Sequence, residues 1–245
     1  MRYIDLTELL KKRAAWGNSQ NLWKNDTLKE DFKNHGLKKC WYTEVELLGQ
    51  DPHIDHWRPK AEVRPFENYN YNKPLRNRGY DWLKNDPENY RVSCIYGNRK
   101  TGDGGKENFF PLSDSSGYLT PNGQGVEEPL LLDPCNENDV RLISFLGGNV
   151  VPTSTEQIDQ DKVKVSTRIY NIDDPDIKAK RQKVWNDVEK TIEEYNEGER
   201  TKKSCIRSLK LAIDRGTMFS ACAIACVNSL APKEITDQLG SLLDL

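Results

Sequence analysis

Ile54-Asp55-His56-Trp57-Arg58-Pro59-Lys60 decides how this chain is read. Among 245 residues there are three histidines, His35, His53 and His56, and the last two bracket Ile54-Asp55. An imidazole that titrates near neutrality, beside a carboxylate and ahead of two basic residues, is where chemistry is expected. Adjacent side chains on an extended strand point to opposite faces. Asp55 and His56 therefore serve one site only if the strand ends or turns there. Pro59 favours that, because it keeps Arg58 extended or turning.

The composition is polar, with 30% charged residues, but six Trp, ten Tyr and six Phe argue against disorder. No apolar run is long enough to span a bilayer and none follows Arg2, so a cytoplasmic protein without a membrane partner is expected. Six cysteines without a CxxC pair make neither a disulfide framework nor a complete four-cysteine zinc site. Cys222 and Cys226 lie in a small apolar helix and are expected to be buried packing residues. Net charge is -2, yet residues 1–110 carry 20 Lys and Arg against 16 Asp and Glu, while residues 111–245 carry 16 against 22. The amino-terminal part is the better candidate for a phosphate-facing surface.

In chain order, short helices are expected over 6–15 and 21–35, the second capped by Asp26 or Thr27, and a strand or turn over 40–47. Residues 61–79 read as an irregular excursion rich in Pro and Asn, and residues 101–129 as a glycine-rich loop anchored by Phe109-Phe110-Pro111-Leu112. Tyr90-Arg91-Val92-Ser93 follows the turn Asp86-Pro87-Glu88-Asn89 and reads as a strand; a second is expected over 142–146. Residues 151–175 are polar and β-branched. Helices follow over 177–195, 203–228 and 232–243, the last beginning at Pro232.

Cys40-x-x-Thr43-Glu44, Asp55-His56-x-Arg58-Pro59-Lys60, Tyr80-x-Trp82-Leu83, Asn89, Cys94-x-x-Gly97-Asn98-x-Lys100, Phe110-Pro111-Leu112 and Leu131-Leu132-Asp133-Pro134-Cys135 follow one another in order. This set resembles the HNH endonuclease family. More narrowly, it is similar to the HNH proteins that accompany an ATPase partner in bacterial anti-phage systems such as Septu and related retron systems. The resemblance spans about residues 38 to 150. It implies an α+β protein whose centre is a ββα-metal (HNH, or His-Me finger) nuclease core, residues 38–150, between a helical amino-terminal segment, 1–37, and a mainly helical extension, 151–245.

The resemblance makes His56 the general base, Asp55 and Asn98 the metal ligands, and Asn89 the support that orients His56. Arg58, Lys60 and Lys100 would meet nucleic-acid phosphates. One divalent cation is implied, Mg²⁺ in preference to Mn²⁺, with DNA as substrate and an ATPase as partner subunit. Relatives with two CxxC knuckles hold a structural zinc; here Thr43 and Gly97 replace the second cysteine of each, leaving Cys40 and Cys94 as a vestigial knuckle for which no zinc is expected. Without the resemblance each residue has a plainer reading: His56 as a structural histidine beside an aspartate, Asn89 as a turn residue, Asn98 as a cap, Asp133 as structural. A subunit that grips nucleic acid or a partner without cutting, and an RNA-cleaving enzyme, are the alternatives.

Overall fold

Local sequence explains most of the elements seen in the computed structural model, which describes residues 1–49, 52–64, 66, 78–98 and 105–244. Helix α1 (Thr7–Leu10) is one turn and passes into a 3-10 turn over Arg13–Trp16. A second 3-10 turn, Leu22–Lys24, precedes α2 (Asp26–His35). The continuous helix expected over 21–35 is interrupted because Asn25, not Asp26 or Thr27, is the cap: its backbone is extended and its side chain accepts from Leu28 N. Helix α2 buries Leu28 and Phe32, four residues apart on one face.

Strand β1 (His53–His56) pairs antiparallel with β2 (Tyr90–Ser93), setting His53 opposite Ser93, Ile54 opposite Val92, Asp55 opposite Arg91 and His56 opposite Tyr90. A single turn of helix, α3 (Ile95–Asn98), follows β2 and packs on both strands. Residues 40–47 form a turn rather than a strand: Cys40 N donates to Val45 O and Glu44 N to Cys40 O, with Glu44 in the left-handed region at φ 62°. Trp41 N donates to Val92 O, which fastens this turn to β2.

After the short helix α4 (Glu137–Arg141), strands β3 (Ile143–Leu146) and β4 (Asn149–Pro152) form a hairpin turning at Gly147, φ 59°. The expected domain limit at residue 150 thus falls inside β4. The extension comprises α5 (Gln157–Ile169), α6 (Pro175–Asn196), α7 (Lys202–Ile213), α8 (Ser220–Leu230) and α9 (Lys233–Leu239). Helix α5 occupies a stretch read only as polar and β-branched; burial of Val163, Val165 and Ile169 overrides the weak propensity of its β-branched residues. The single helix expected over 203–228 is two, broken at Asp214-Arg215-Gly216 and restarted after Phe219, whose φ is +59°.

Helices α6, α7 and α8 pack on one another, and α8 also packs on β3. One continuous apolar core runs from Leu9 through Tyr42, Val92 and Phe145 to Leu239, so the three segments share a single interior. Arg181 of α6, 1% exposed, ties this junction together through Gly148 O, Ile172 O and Asp173. Cys222 and Cys226 are fully buried, as their apolar context suggests. Among the described residues no helix is long and apolar enough to cross a membrane.

Candidate functional site around His56

His56 closes β1, and its ring meets Tyr90, directly opposite on β2, edge-on at 5.1 Å. Trp23, from the 3-10 turn before α2, covers another edge at 5.0 Å. The histidine is 4% exposed. Its Nε2 lies 2.9 Å from the carbonyl oxygen of Lys84, which also accepts from the Tyr90 hydroxyl at 2.6 Å. A carbonyl can only accept, so Nε2 carries the proton and the lone pair resides on Nδ1. That nitrogen faces Lys60 Nζ at 3.5 Å, at the limit of a hydrogen bond.

Burial, reinforced by the Lys60 ammonium, lowers the His56 pKa to about 4, against the opposing pull of the Lys84 carbonyl and Asp55. At neutral pH the imidazole is therefore neutral and keeps one basic nitrogen. Lys60 is itself stacked over the Trp23 ring at 4.8 Å, and its pKa is lowered, chiefly by burial.

Asn89 supports the segment after His56. Its Oδ1 accepts from Arg58 N and its Nδ2 donates to Arg58 O, while Asn89 O accepts from Trp57 N, extending the strand pairing by one residue. The turn that presents Asn89 is preset by Asp86, whose side chain accepts from Glu88 N, and by Pro87. Asn89 thus acts on the backbone that carries His56. It has the geometry of a positioning residue.

Asp55 turns to different partners. Its Oδ2 accepts from the Tyr42 hydroxyl at 2.6 Å, and Lys106 Nζ lies 3.4 Å from the same oxygen and 3.5 Å from Oδ1. Lys106, fully buried, also donates to His56 O at 2.7 Å. Tyr42 stacks on Tyr170 at 3.9 Å. Burial lowers the Lys106 pKa and raises that of Tyr42 well above its ordinary value, the latter with a contribution from Asp55. The side chains of Asp55 and His56 thus follow the alternation of a strand that does not turn until after both.

The fit of a divalent cation can be judged from this arrangement. Asp55 already has a buried countercharge in Lys106, and a cation at its oxygens would meet that ammonium at close range. Asn98 ends α3; its carbonyl accepts from Glu107 N, and its side chain is half-buried. Among the described residues no group of three or more His, Cys, Asp and Glu side chains could hold a metal ion. With Lys106 in place, the Asp55 carboxylate does not offer a ready Mg²⁺ or Mn²⁺ site.

Of the expected phosphate contacts, Lys60 flanks the imidazole. Arg58 is engaged elsewhere: its Nε donates to Glu127 at 2.6 Å and its guanidinium lies over Trp57 at 4.7 Å. Glu127, its side chain 2% exposed, also receives the Tyr80 hydroxyl and Leu119 N, so this arginine belongs to a structural knot. Lys100 lies outside the described residues.

The four knuckle positions do converge. Thr43 Oγ1 lies 3.8 Å from Cys94 Sγ, a Cβ built on Gly97 would be 3.7 Å from the same sulfur, and the buried Cys40 and Cys94 thiols influence each other's ionisation. Burial pushes the Cys40 thiol up, but the neighbouring Cys94 and Thr43 outweigh it and lower the group; the Cys94 thiol, beside Cys40 and buried, is raised. Two thiols and a hydroxyl do not make a closed tetrahedral zinc site. Asp133 is structural: Arg91 meets it with two parallel hydrogen bonds of 2.6 Å.

Lys84, Lys106, Tyr42 and Glu127 escape sequence reasoning. Each acts through the fold, and Lys106 stands 50 positions after the residue whose carbonyl it binds. Neither the protein-family models nor the curated proteins gave a match to this chain.

Proposed function

We propose that the protein is a phosphodiester hydrolase, with DNA as its first candidate substrate, in which His56 removes a proton from the attacking water. The observation that carries this reading is the tautomer of His56. Its Nε2–H is tied to the Lys84 carbonyl, its ring is neutral at pH 7, and its basic Nδ1 is turned toward Lys60. A general base needs an unprotonated nitrogen held in a fixed orientation, and a neighbouring ammonium favours an approaching phosphate. Asn89 supports the role indirectly by fixing the backbone of Arg58.

The ordered motifs that resemble HNH proteins support the same chemistry. They bring with them the proposals of a Mg²⁺ or Mn²⁺ cofactor, a cytoplasmic setting in anti-phage defence and an ATPase partner. A cation would supply charge neutralisation on the phosphoryl oxygens. The pairing of Asp55 with Lys106 does not favour it at that carboxylate.

A second reading, a subunit that binds nucleic acid or a partner without cutting, is favoured by the burial of His56 and by that same Asp55–Lys106 pairing. Cleavage of supercoiled plasmid, single-stranded DNA and RNA in Mg²⁺, Mn²⁺ or EDTA, by the natural protein and by His56→Ala, separates the two. Cutting lost in the variant supports the hydrolase. Equal inactivity of both, with retained nucleic-acid binding, supports the second reading.

A further inference from the structure

A separate cavity lies where the amino-terminal segment, the turn at 40–47 and the break between α7 and α8 meet. It has a volume of about 30 Å³ within a recess of about 340 Å³, and Arg2, Gly36, Lys39, Trp41, Glu44 and Arg215 contribute to its lining. Among the described residues, three of the four buried side-chain nitrogens without a hydrogen-bond partner belong to residues that line it: Nε and Nη1 of Arg2 and Nε1 of Trp41. Arg2 is 6% exposed and Trp41 3%. Buried donors in native proteins are almost always satisfied. Three that line one cavity call for an acceptor, and a buried guanidinium calls for negative charge.

The lining leaves positive charge in excess. Arg2, Lys39 and Arg215 stand against one carboxylate, Glu44. Glu44 is already occupied: Oε1 accepts from the α-ammonium of Met1, and Oε2 from Ser220 Oγ and Ala221 N, with Lys39 Nζ 3.8 Å away. Asp214 and Asp244 act on Arg2 only through the field, and Asp214 uses its oxygen to accept from Gly216 N. Gly36 admits the Trp41 indole to the lining, since a Cβ there would fall 1.9 Å from Trp41 Nε1. The cavity has room for a few waters' worth of atoms. That suits one tetrahedral oxyanion and excludes a nucleoside.

We propose that this cavity binds a single phosphoryl oxyanion, with Arg2 and Trp41 as donors and Lys39 and Arg215 supplying the positive field. An occupant would join three segments distant in sequence, because Arg2, Trp41 and Arg215 belong to different parts of the chain. Free phosphate and the terminal phosphate of a nucleotide share this chemistry. The site is distinct from the pocket of His56 and does not depend on the hydrolase reading.

The test is calorimetric titration and thermal denaturation of the full chain with inorganic phosphate, and separately with AMP, against chloride at equal ionic strength. Saturable phosphate binding that raises the melting temperature beyond the chloride control is expected. Arg2→Gln should weaken binding roughly tenfold or more. Arg215→Gln, at an exposed rim position, should weaken it while leaving the fold intact, and keeps the test decisive if the Arg2 variant is unstable. His56→Ala should bind phosphate as the natural protein does. AMP competing with phosphate would identify the nucleotide source, and phosphate binding alone the free anion. Stabilisation no greater than that of chloride, or unchanged affinity in Arg215→Gln and Arg2→Gln, would overturn the proposal.

Discussion

Asn89 holds Arg58 by both ends of its amide: Arg58 N donates to Oδ1 at 2.8 Å, and Nδ2 donates to Arg58 O at 2.9 Å. The side chain replaces the next rung of the β1–β2 ladder where β1 turns away. Asn89→Ala would remove both bonds and leave two backbone groups unpaired beside a residue that is 4% exposed. The expected cost is roughly 2–4 kcal/mol of stability, from the usual penalty per unsatisfied buried group. Urea denaturation measures it directly. An unchanged midpoint would show that water replaces the amide without loss.

The depressed pKa of His56 gives a pH dependence of definite sign. The folded group takes up its proton near 4 and the unfolded group near its ordinary 6.5. As pH falls through that interval the unfolded chain binds the proton first, so the fold loses stability between about pH 6.5 and 4. The loss attributable to this group is on the order of 3 kcal/mol at most. Glu44, held at about 2 by its cationic partners despite its burial, adds a loss that sets in below its ordinary 4.5. The two windows separate on comparison with His56→Gln, which should be flat from pH 6.5 to 5. Any catalysis by His56 should persist below pH 6, where an ordinary histidine would already be protonated.

Particular residues show what the sequence made legible. Strand β2 was readable because Asp86-Pro87-Glu88-Asn89 is a strong turn ahead of an aromatic and β-branched run. Helix α6 was readable because Ile177, Trp185, Val188 and Ile192 recur at helical spacing. Helix α5 was not, because Val163, Val165 and Thr167 favour strands and only packing against the shared core makes them helical. In the candidate site, alternation along β1 foretold that Asp55 and His56 diverge unless the strand turned. That Lys106 would meet Asp55 is a long-range fact with no local signal.

Removing Lys106 tests whether its ammonium holds the place of a cation. Lys106→Met would leave Asp55 buried with Tyr42 as its remaining hydrogen-bond partner and should cost about 3–5 kcal/mol in metal-free buffer, as for other half-broken buried ion pairs. Mg²⁺ should then stabilise the variant more than the natural protein, by a rise in melting temperature that Asp55→Asn removes. A Mg²⁺-dependent rise of the same size in the natural protein would mean that a cation displaces Lys106 from Asp55.

The pairing of Arg91 with Asp133 makes a second buried ion pair with a different purpose. Arg91 also donates to Glu88 O and Tyr90 O, so one guanidinium links β2, the turn before it and the segment at 133. Asp133→Ala should destabilise by about 3–5 kcal/mol, because it strands a buried charge. Arg91→Met combined with Asp133→Leu should recover much of that loss, since both charges leave together. A double variant no better than the single one would show that the carbonyl contacts of Arg91 matter more than the pair.

Positions 40, 43, 94 and 97 offer a place to build a zinc site. Cys40, Thr43, Cys94 and Gly97 already meet in space, and two of the four lack a sulfur. Thr43→Cys with Gly97→Cys would supply four thiols at positions that converge. A Cβ at 97 would approach Ser93 Oγ at 2.8 Å, a small side chain that Ser93→Ala removes. The triple variant should bind one zinc per chain and melt at a higher temperature than its zinc-free form, because a structural site adds its binding energy to folding. The natural protein should show no zinc-dependent change, two thiols being too few to close the tetrahedron. Stoichiometric zinc in the natural protein would instead require ligands beyond these four positions. Failure of the triple variant to bind zinc would mean that the turn at 40–47, now packed through Trp41 and Tyr42, can no longer bring four sulfurs to metal distance.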